Sequence, residues 1–180
     1  MFALFYFNTT TIPAIFRATI SKYCNNNVPF IFTMQVTNVA DIPLYGFSDN
    51  SFQAAGGVEG IRKLVDDFYH EMDSLPEAVV IRKMHRQDLT VSRDKLTSFL
   101  CGWMGGPKLY HEKYGSINIP GSHAHLPISE TERDAWLLCM KRAIAKQHYR
   151  PEFSTYLLAQ LSIPAERIFA TSRKPDDDKK

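Results

Sequence analysis

The sequence predicts an all-α fold, with most of the chain in one helical domain. Helix start and stop signals recur from about Ser51 to Phe169, and no segment of any length there alternates like a strand. Between Val58 and Met72, apolar side chains recur at helical spacing. They form one stripe: Ile61, Leu64, Val65, Phe68, Tyr69 and Met72.

The first helices are separated by glycine and proline. Ser51 is the predicted N-cap of a short helix that ends at Gly56-Gly57, and the helix with the apolar stripe follows. Ser74 and Pro76 then indicate the start of another short helix that runs to Met84, because proline is favoured in the first helical turn.

The next helix is predicted from Thr90 to Met104, where Gly105-Gly106-Pro107 ends it. Its predicted apolar face comprises Leu96, Phe99, Leu100 and Trp103. Residues 107–127 are rich in glycine and proline, so we predict mostly loop there, with one helical turn before His123.

Two long helices are predicted after this loop. Ser129 opens the first, which runs through Gln147, with acidic residues in its first turn and basic ones in its last. Pro151 starts the second, which carries Phe153, Tyr156, Leu157 and Leu161.

The two ends of the chain differ from the middle. Met1 to Val28 contains no acidic residue, and the last residues are a charged, solvated run. We therefore predict an extension over residues 1–45, a helical domain over 46–170 and a disordered tail over 171–180. The extension is either poorly ordered, a weak transit peptide, or the result of a mis-assigned start, with Met34 as the true initiator.

Composition excludes several classes of protein. The 180 residues are 44% hydrophobic and 22% charged, as in proteins that bury a real core, and the net charge of +2 argues against nucleic-acid binding. No apolar run approaches the ~20 residues that span a bilayer. Cys24, Cys101 and Cys139 show no disulfide or zinc spacing, so we expect a reducing, cytoplasmic location. We expect Cys101 and Cys139 to be buried as small apolar residues.

Histidine carries the most chemical information in this sequence. Of the six histidines, His123 and His125 lie two residues apart, but no Cys, Asp or Glu lies near enough in sequence to complete a zinc site. One imidazole is enough to hold haem iron. The residues alone leave two interpretations open, a haem ligand and solvated or capping histidines.

The order of several motifs resembles the truncated haemoglobins, the short bacterial two-over-two globins, and specifically their second group. The resemblance covers about residues 50–162. The matching stretches are Phe52-Gln53-Ala54-Ala55-Gly56-Gly57, Phe68-Tyr69, residues 99–107 (FLCGWMGGP), Tyr114-Gly115, His123-Ala124-His125 and residues 132–140 (ERDAWLLCM).

The resemblance implies a two-over-two helical sandwich with an N-terminal extension, and a haem b (iron protoporphyrin IX) held by one proximal histidine. In this group, that histidine lies thirteen residues before the helix tryptophan, and counting back from Trp136 gives His123. His125 is the second choice, because it would require a two-residue deletion. An arginine often precedes the proximal histidine in this group, whereas Gly121-Ser122 stands here, which puts one haem propionate partner in doubt.

The resemblance also implies the residues around the haem. Tyr69 and Trp136 would donate hydrogen bonds to bound oxygen, with His85 nearby as a third polar group and Ser92 at the ligand gate. Tyr69 or His85 reaching the iron would give a six-coordinate form. The implied porphyrin-lining residues are Leu96, Phe99, Leu100 and Met140, and the implied propionate partners are Lys95, Tyr110 and Tyr114.

Such a pocket predicts binding of O2, NO or CO. Tightly held oxygen suits redox chemistry better than delivery, so we expect oxidation of nitric oxide to nitrate or reduction of peroxide, with an unidentified reductase. The alternative is an oxygen or NO carrier or sensor without turnover. We expect a monomer or weak dimer that binds neither nucleic acid nor membranes.

Overall fold

The computed structural model describes residues 44–172. Residues 1–43 of the predicted extension, which include Cys24 and Met34, and residues 173–180 of the predicted tail lie outside the described residues. These residues contain helices and no strand, which confirms the all-α prediction. The helices are α1 (Asn50–Ala54), α2 (Gly57–Ser74), α3 (Val79–Lys83), α4 (Thr90–Trp103), α5 (Leu109–Tyr114), α6 (Ile119–His123), α7 (Glu130–Ala145) and α8 (Pro151–Ser172).

Four of these helices form the framework as two pairs. Helix α2 packs against α4, helix α7 packs against α8, and α2 and α7 join the two pairs. The predicted stripe of α2 is buried in full, from Ile61 to Met72. Each such side chain stabilises the fold by roughly 1.5–3 kcal/mol through burial. Because Tyr69 belongs to this stripe, its ring packs within the core.

Helix α7 begins where its sequence predicts. The Ser129 hydroxyl accepts from the Thr131 N–H, and the Glu132 carboxylate accepts from the Ser129 N–H, which completes a capping box. The helix ends at Ala145, two residues before the predicted end at Gln147. The capping box fixes the first residue of α7 and therefore the position of Trp136 along the helix.

The prediction for the covered face of α4 was wrong in part. Leu100 is buried, but the other buried residues are Thr97, Ser98 and Cys101. Leu96 and Phe99 are only half-buried, and Trp103 is 37% exposed. Helix α4 therefore keeps an apolar stripe that the other helices do not fully cover.

Other elements differ from their predictions in bounds or existence. Helix α1 starts at Asn50, two residues before the predicted start, and the Ser51 hydroxyl accepts from the Gly46 N–H at 2.8 Å instead of capping the helix. A 3-10 turn at Pro76–Ala78 comes directly before α3. The turn and α3 together form the predicted short helix. Helix α5 lies where we predicted mostly loop, since its six residues are too few to show a helical period.

The cysteine prediction is confirmed for the two that the structure describes. Cys101 and Cys139 are free and fully buried, and burial raises the pKa of Cys139 to about 11. Both thiols therefore stay protonated and unreactive near neutral pH. No helix within residues 44–172 has the length and apolar character needed to cross a membrane.

Gly105 lies at a close approach between two backbone segments. Its φ is +93°, and a Cβ atom there would lie 1.9 Å from the Ser48 carbonyl oxygen. We expect Gly105→Ala to lower the free energy of unfolding by more than about 2 kcal/mol, through left-handed strain and this clash. Urea unfolding measures it. Gly102→Ala is the matched control, because its Cβ would make ordinary contacts, the nearest with Lys108 Cα at 3.4 Å, and equal losses for both would contradict the prediction.

Candidate functional site

Tyr69 lies at the centre of a group of aromatic rings. Its side chain on α2 is 4% exposed, and its ring lies edge-on to His85 at 5.7 Å and to Phe68 at 5.0 Å. Phe68 in turn packs against Trp136 of α7, with ring centroids 5.2 Å apart. The structure therefore brings the three predicted polar residues, Tyr69, His85 and Trp136, into one cluster from three separate parts of the chain.

The Tyr69 hydroxyl is kept in its neutral, donating form. Burial raises the pKa of Tyr69 to about 12, against smaller opposing effects of a hydrogen bond with Ser92 and the positive charges of Arg93 and Arg82. A neutral phenol can donate a hydrogen bond, whereas a phenolate can only accept. Tyr69 is therefore equipped to donate to a partially negative ligand.

His85, whose ring lies beside Tyr69, has one ring nitrogen, Nε2, that is available as an acceptor. Its Nδ1 lies 2.8 Å from the Ile81 carbonyl oxygen, and since a carbonyl only accepts, Nδ1 carries the proton. Burial lowers the pKa of His85, against a smaller opposing effect of the hydrogen bond with Ile81, and the charges of Arg82 and His123 lower it further. The ring is therefore neutral near pH 7, and Nε2 is left as an acceptor with a free lone pair.

His123 has the environment of a metal ligand. It ends α6 and is half-buried, and its Nδ1 lies 2.6 Å from the Ile119 carbonyl oxygen. Metal-binding histidines commonly donate one ring N–H to a backbone carbonyl, which orients the ring and leaves the other nitrogen for the metal. His125 is exposed, and no side-chain hydrogen bond holds its ring within residues 44–172.

The predicted lining residues fall into two sets. Leu100 and Met140 are fully buried in the core, whereas Leu96, Phe99 and Ser92 are half-buried. Partly exposed apolar side chains on α4 leave room for a flat apolar group to cover them. Together with one free histidine nitrogen, this donor set fits the haem that the resemblance implies.

The predicted propionate partners cluster at the surface between α4 and α5. The Lys95 ammonium lies 5.2 Å from the Tyr114 ring centroid, and the Tyr110 ring lies 5.1 Å from that of Tyr114. The Tyr114 hydroxyl donates to Asp94 at 2.7 Å. Lys95 and Tyr110 are therefore the better placed to bind an anion, because the Tyr114 hydroxyl already has a partner.

Sequence reasoning missed two arginines beside the site. Arg82 donates to the Asp73 carboxylate and to the carbonyl oxygens of Arg86 and Gln87 at 2.9 and 3.1 Å, which holds the loop that carries His85. The guanidinium carbon of Arg93 lies over the Tyr69 ring, 5.3 Å from the ring centroid. The one sequence signal for Arg93 is that a basic residue directly follows Ser92.

The raised pKa of Tyr69 predicts how the rate of oxygen dissociation responds to pH. We expect the rate of oxygen dissociation to stay constant from about pH 7 to about pH 10, because an ordinary tyrosine is half ionised near pH 10. With a pKa of about 12, Tyr69 keeps its donor across this window. His85 stays neutral there too, because its pKa is lowered. Stopped-flow dissociation across this range measures it, and faster release near pH 10 would contradict it.

The comparisons with known proteins agree on one family. The model of the family described as bacterial-like globin matches residues 50–169. The chain is 32% identical over 131 residues to the group 2 truncated hemoglobin YjbI of Bacillus subtilis, covering 73% of this chain and 97% of that protein.

Solved structures show the same likeness. The group II 2-on-2 hemoglobin of Agrobacterium tumefaciens is 36% identical with a TM-score of 0.63, covering 66% of this chain and 92% of that one. The truncated oxygen-avid haemoglobin of Bacillus subtilis is 32% identical with a TM-score of 0.60, covering 66% and 97%. The two pairs of helices described above are thus those of a two-over-two fold.

Proposed function

Because this chain belongs to the bacterial-like globins, as a group II truncated haemoglobin, we propose that it holds haem b through His123 and uses bound oxygen in redox chemistry. Membership of the family implies haem and oxygen binding. The observation that carries the choice of ligand is the Nδ1–H of His123, which donates to the Ile119 carbonyl and leaves Nε2 free. His125 is the alternative ligand, and its exposed ring lacks such support.

Haem, when bound, supplies an iron that binds oxygen and exchanges electrons with it. The chain supplies the surroundings. Leu96, Phe99, Leu100 and Met140 would line the porphyrin. Lys95 and Tyr110 would be the better placed propionate partners, with Tyr114 beside them. Ser92 stands beside the Tyr69 hydroxyl at the entrance.

The distal residues determine how tightly oxygen is held. Tyr69 and Trp136 each offer one donor, and His85 offers an acceptor through Nε2. Donors that are already oriented in a dry pocket stabilise a partially negative ligand strongly. Slow release of oxygen follows, which suits reaction of the bound oxygen rather than its delivery. The Bacillus subtilis relative described as oxygen-avid is consistent with this proposal.

Oxidation of nitric oxide is the reaction that we propose first. One NO, one O2 and one electron give one nitrate, so each turnover needs a single electron from a reductase. Reduction of peroxide is the second reaction of the same redox class. Both require a small, dry pocket with fixed hydrogen-bond donors.

Consumption of nitric oxide tests this function. Purified protein loaded with haem is supplied with oxygen, NO and a flavoprotein reductase, and an NO electrode records the rate. We expect turnover well above that of the reductase alone, and slower turnover for Tyr69→Phe. A rate equal to the reductase alone, in both the NO and the peroxide assays, would favour a carrier or sensor. The pyridine haemochrome spectrum identifies the haem type.

A further inference from the structure

Arg93 makes three contacts around Tyr69. Its guanidinium carbon lies 5.3 Å from the centroid of the Tyr69 ring. Its Nη1 donates to Asp66 twice, to the Oδ1 at 2.7 Å and to the backbone carbonyl at 3.1 Å. The side chain is 31% exposed, so it is more enclosed than an ordinary surface arginine.

These contacts join two helices at the ligand-binding side. Asp66 lies one turn before Tyr69 on α2, so the two side chains lie near each other on the helix surface. Arg93 lies in the first turn of α4, directly after Ser92. A guanidinium held at two points on α2 has little freedom to leave the face of the ring.

We propose that Arg93 and Asp66 form a positioning pair that fixes the Tyr69 ring and thereby the direction of its hydroxyl. Phe68 and His85 contact the same ring edge-on. Arg93 contacts it through the attraction of a cation to an aromatic face, which is strongest where water is excluded. The pair acts on the bound ligand only through Tyr69, and this inference rests on the proposed function of Tyr69 as donor.

The oxygen dissociation rate of the haem-loaded protein tests this pair. Arg93→Met keeps the length of the side chain but removes its charge, and we expect release about 3- to 10-fold faster. Asp66→Asn should change the rate in the same direction by less, because the carbonyl contact remains. Arg62→Met is the matched control, since Arg62 lies on α2, one turn before Asp66, and its recorded ion pair within residues 44–172 is with the exposed Glu59.

A double-mutant cycle separates positioning from a general structural effect. In the Tyr69→Phe background, Arg93→Met should no longer change the rate, because no hydroxyl is left to orient. The C–O stretching frequency of the CO complex gives a second readout, and Arg93→Met should shift it toward the value in Tyr69→Phe. Should Arg93→Met fail to fold, Arg93→Gln, which also removes the charge, and Asp66→Asn carry the same comparison.

The outcomes distinguish this inference from the proposed function. Fast release in Tyr69→Phe with unchanged release in the Arg93 and Asp66 variants would overturn the positioning pair alone. An equal effect of Arg93→Met in both backgrounds would overturn it as well. Unchanged release in Tyr69→Phe would overturn the role of Tyr69 as donor, and the positioning pair with it.

Discussion

His123→Ala abolishes stable haem binding, whereas His125→Ala keeps the Soret band: this is the largest effect that the site predicts. His123 presents a free Nε2, because its Nδ1–H donates to Ile119, while the His125 ring is exposed. Without its proposed ligand to the iron, the haem would be held only by apolar contacts and by the propionate partners. The absorption spectrum of each purified variant, after equal haem loading, measures the effect.

Chemical rescue provides the control for this prediction. His123→Gly leaves space at the end of α6, so imidazole added to the buffer should restore the spectrum in part. Circular dichroism of the haem-free proteins shows whether both variants keep their helices. Loss of the band in the His125 variant only would overturn the choice of His123.

The second large effect concerns release of oxygen. We expect Tyr69→Phe to speed oxygen dissociation about 10- to 100-fold, because hydrogen bonds to charged acceptors contribute about 1.5–3 kcal/mol and each 1.4 kcal/mol is tenfold. Trp136→Phe should have a smaller effect in the same direction, because its indole is half-buried and more accessible to water. Stopped-flow replacement of oxygen by carbon monoxide measures both rates.

Tyr149→Phe is the matched control for Tyr69→Phe. Its pKa is also raised to about 12 by burial, and its hydroxyl donates to the Ala55 carbonyl at 3.3 Å, outside the cluster around Tyr69. This variant should lose some stability but keep the oxygen dissociation rate. Unchanged rates in both Tyr69→Phe and Trp136→Phe would remove the physical basis of tight oxygen binding.

Local patterns predicted the parts of this structure that local forces determine. The stripe of α2 and the capping box of Ser129 are readable because their partners lie within a few residues. Helix α5 was missed, because six residues between glycines and prolines carry no periodic pattern. The covered face of α4 was misjudged, since the packing of α4 on α2 decides which side chains are buried.

The site shows the same division between local and long-range information. The resemblance selected Tyr69, His85 and Trp136 by position, and their grouping through Phe68 depends on three distant elements. Arg93 and Asp66 lie 27 residues apart, so no local spacing links them. Only the packed helices reveal that the arginine covers the tyrosine.

The capping box of α7 determines where the chain tolerates a change in length. Residues added in the loop before Ser129 alter the path from His123 to the helix, but the helix still starts at the same cap. A single residue inserted between Ser129 and Trp136 would turn the indole by about 100° around the helix axis. Length variation before Ser129 therefore leaves the place of Trp136 on α7 unchanged, whereas length variation after Ser129 moves its indole away from Phe68.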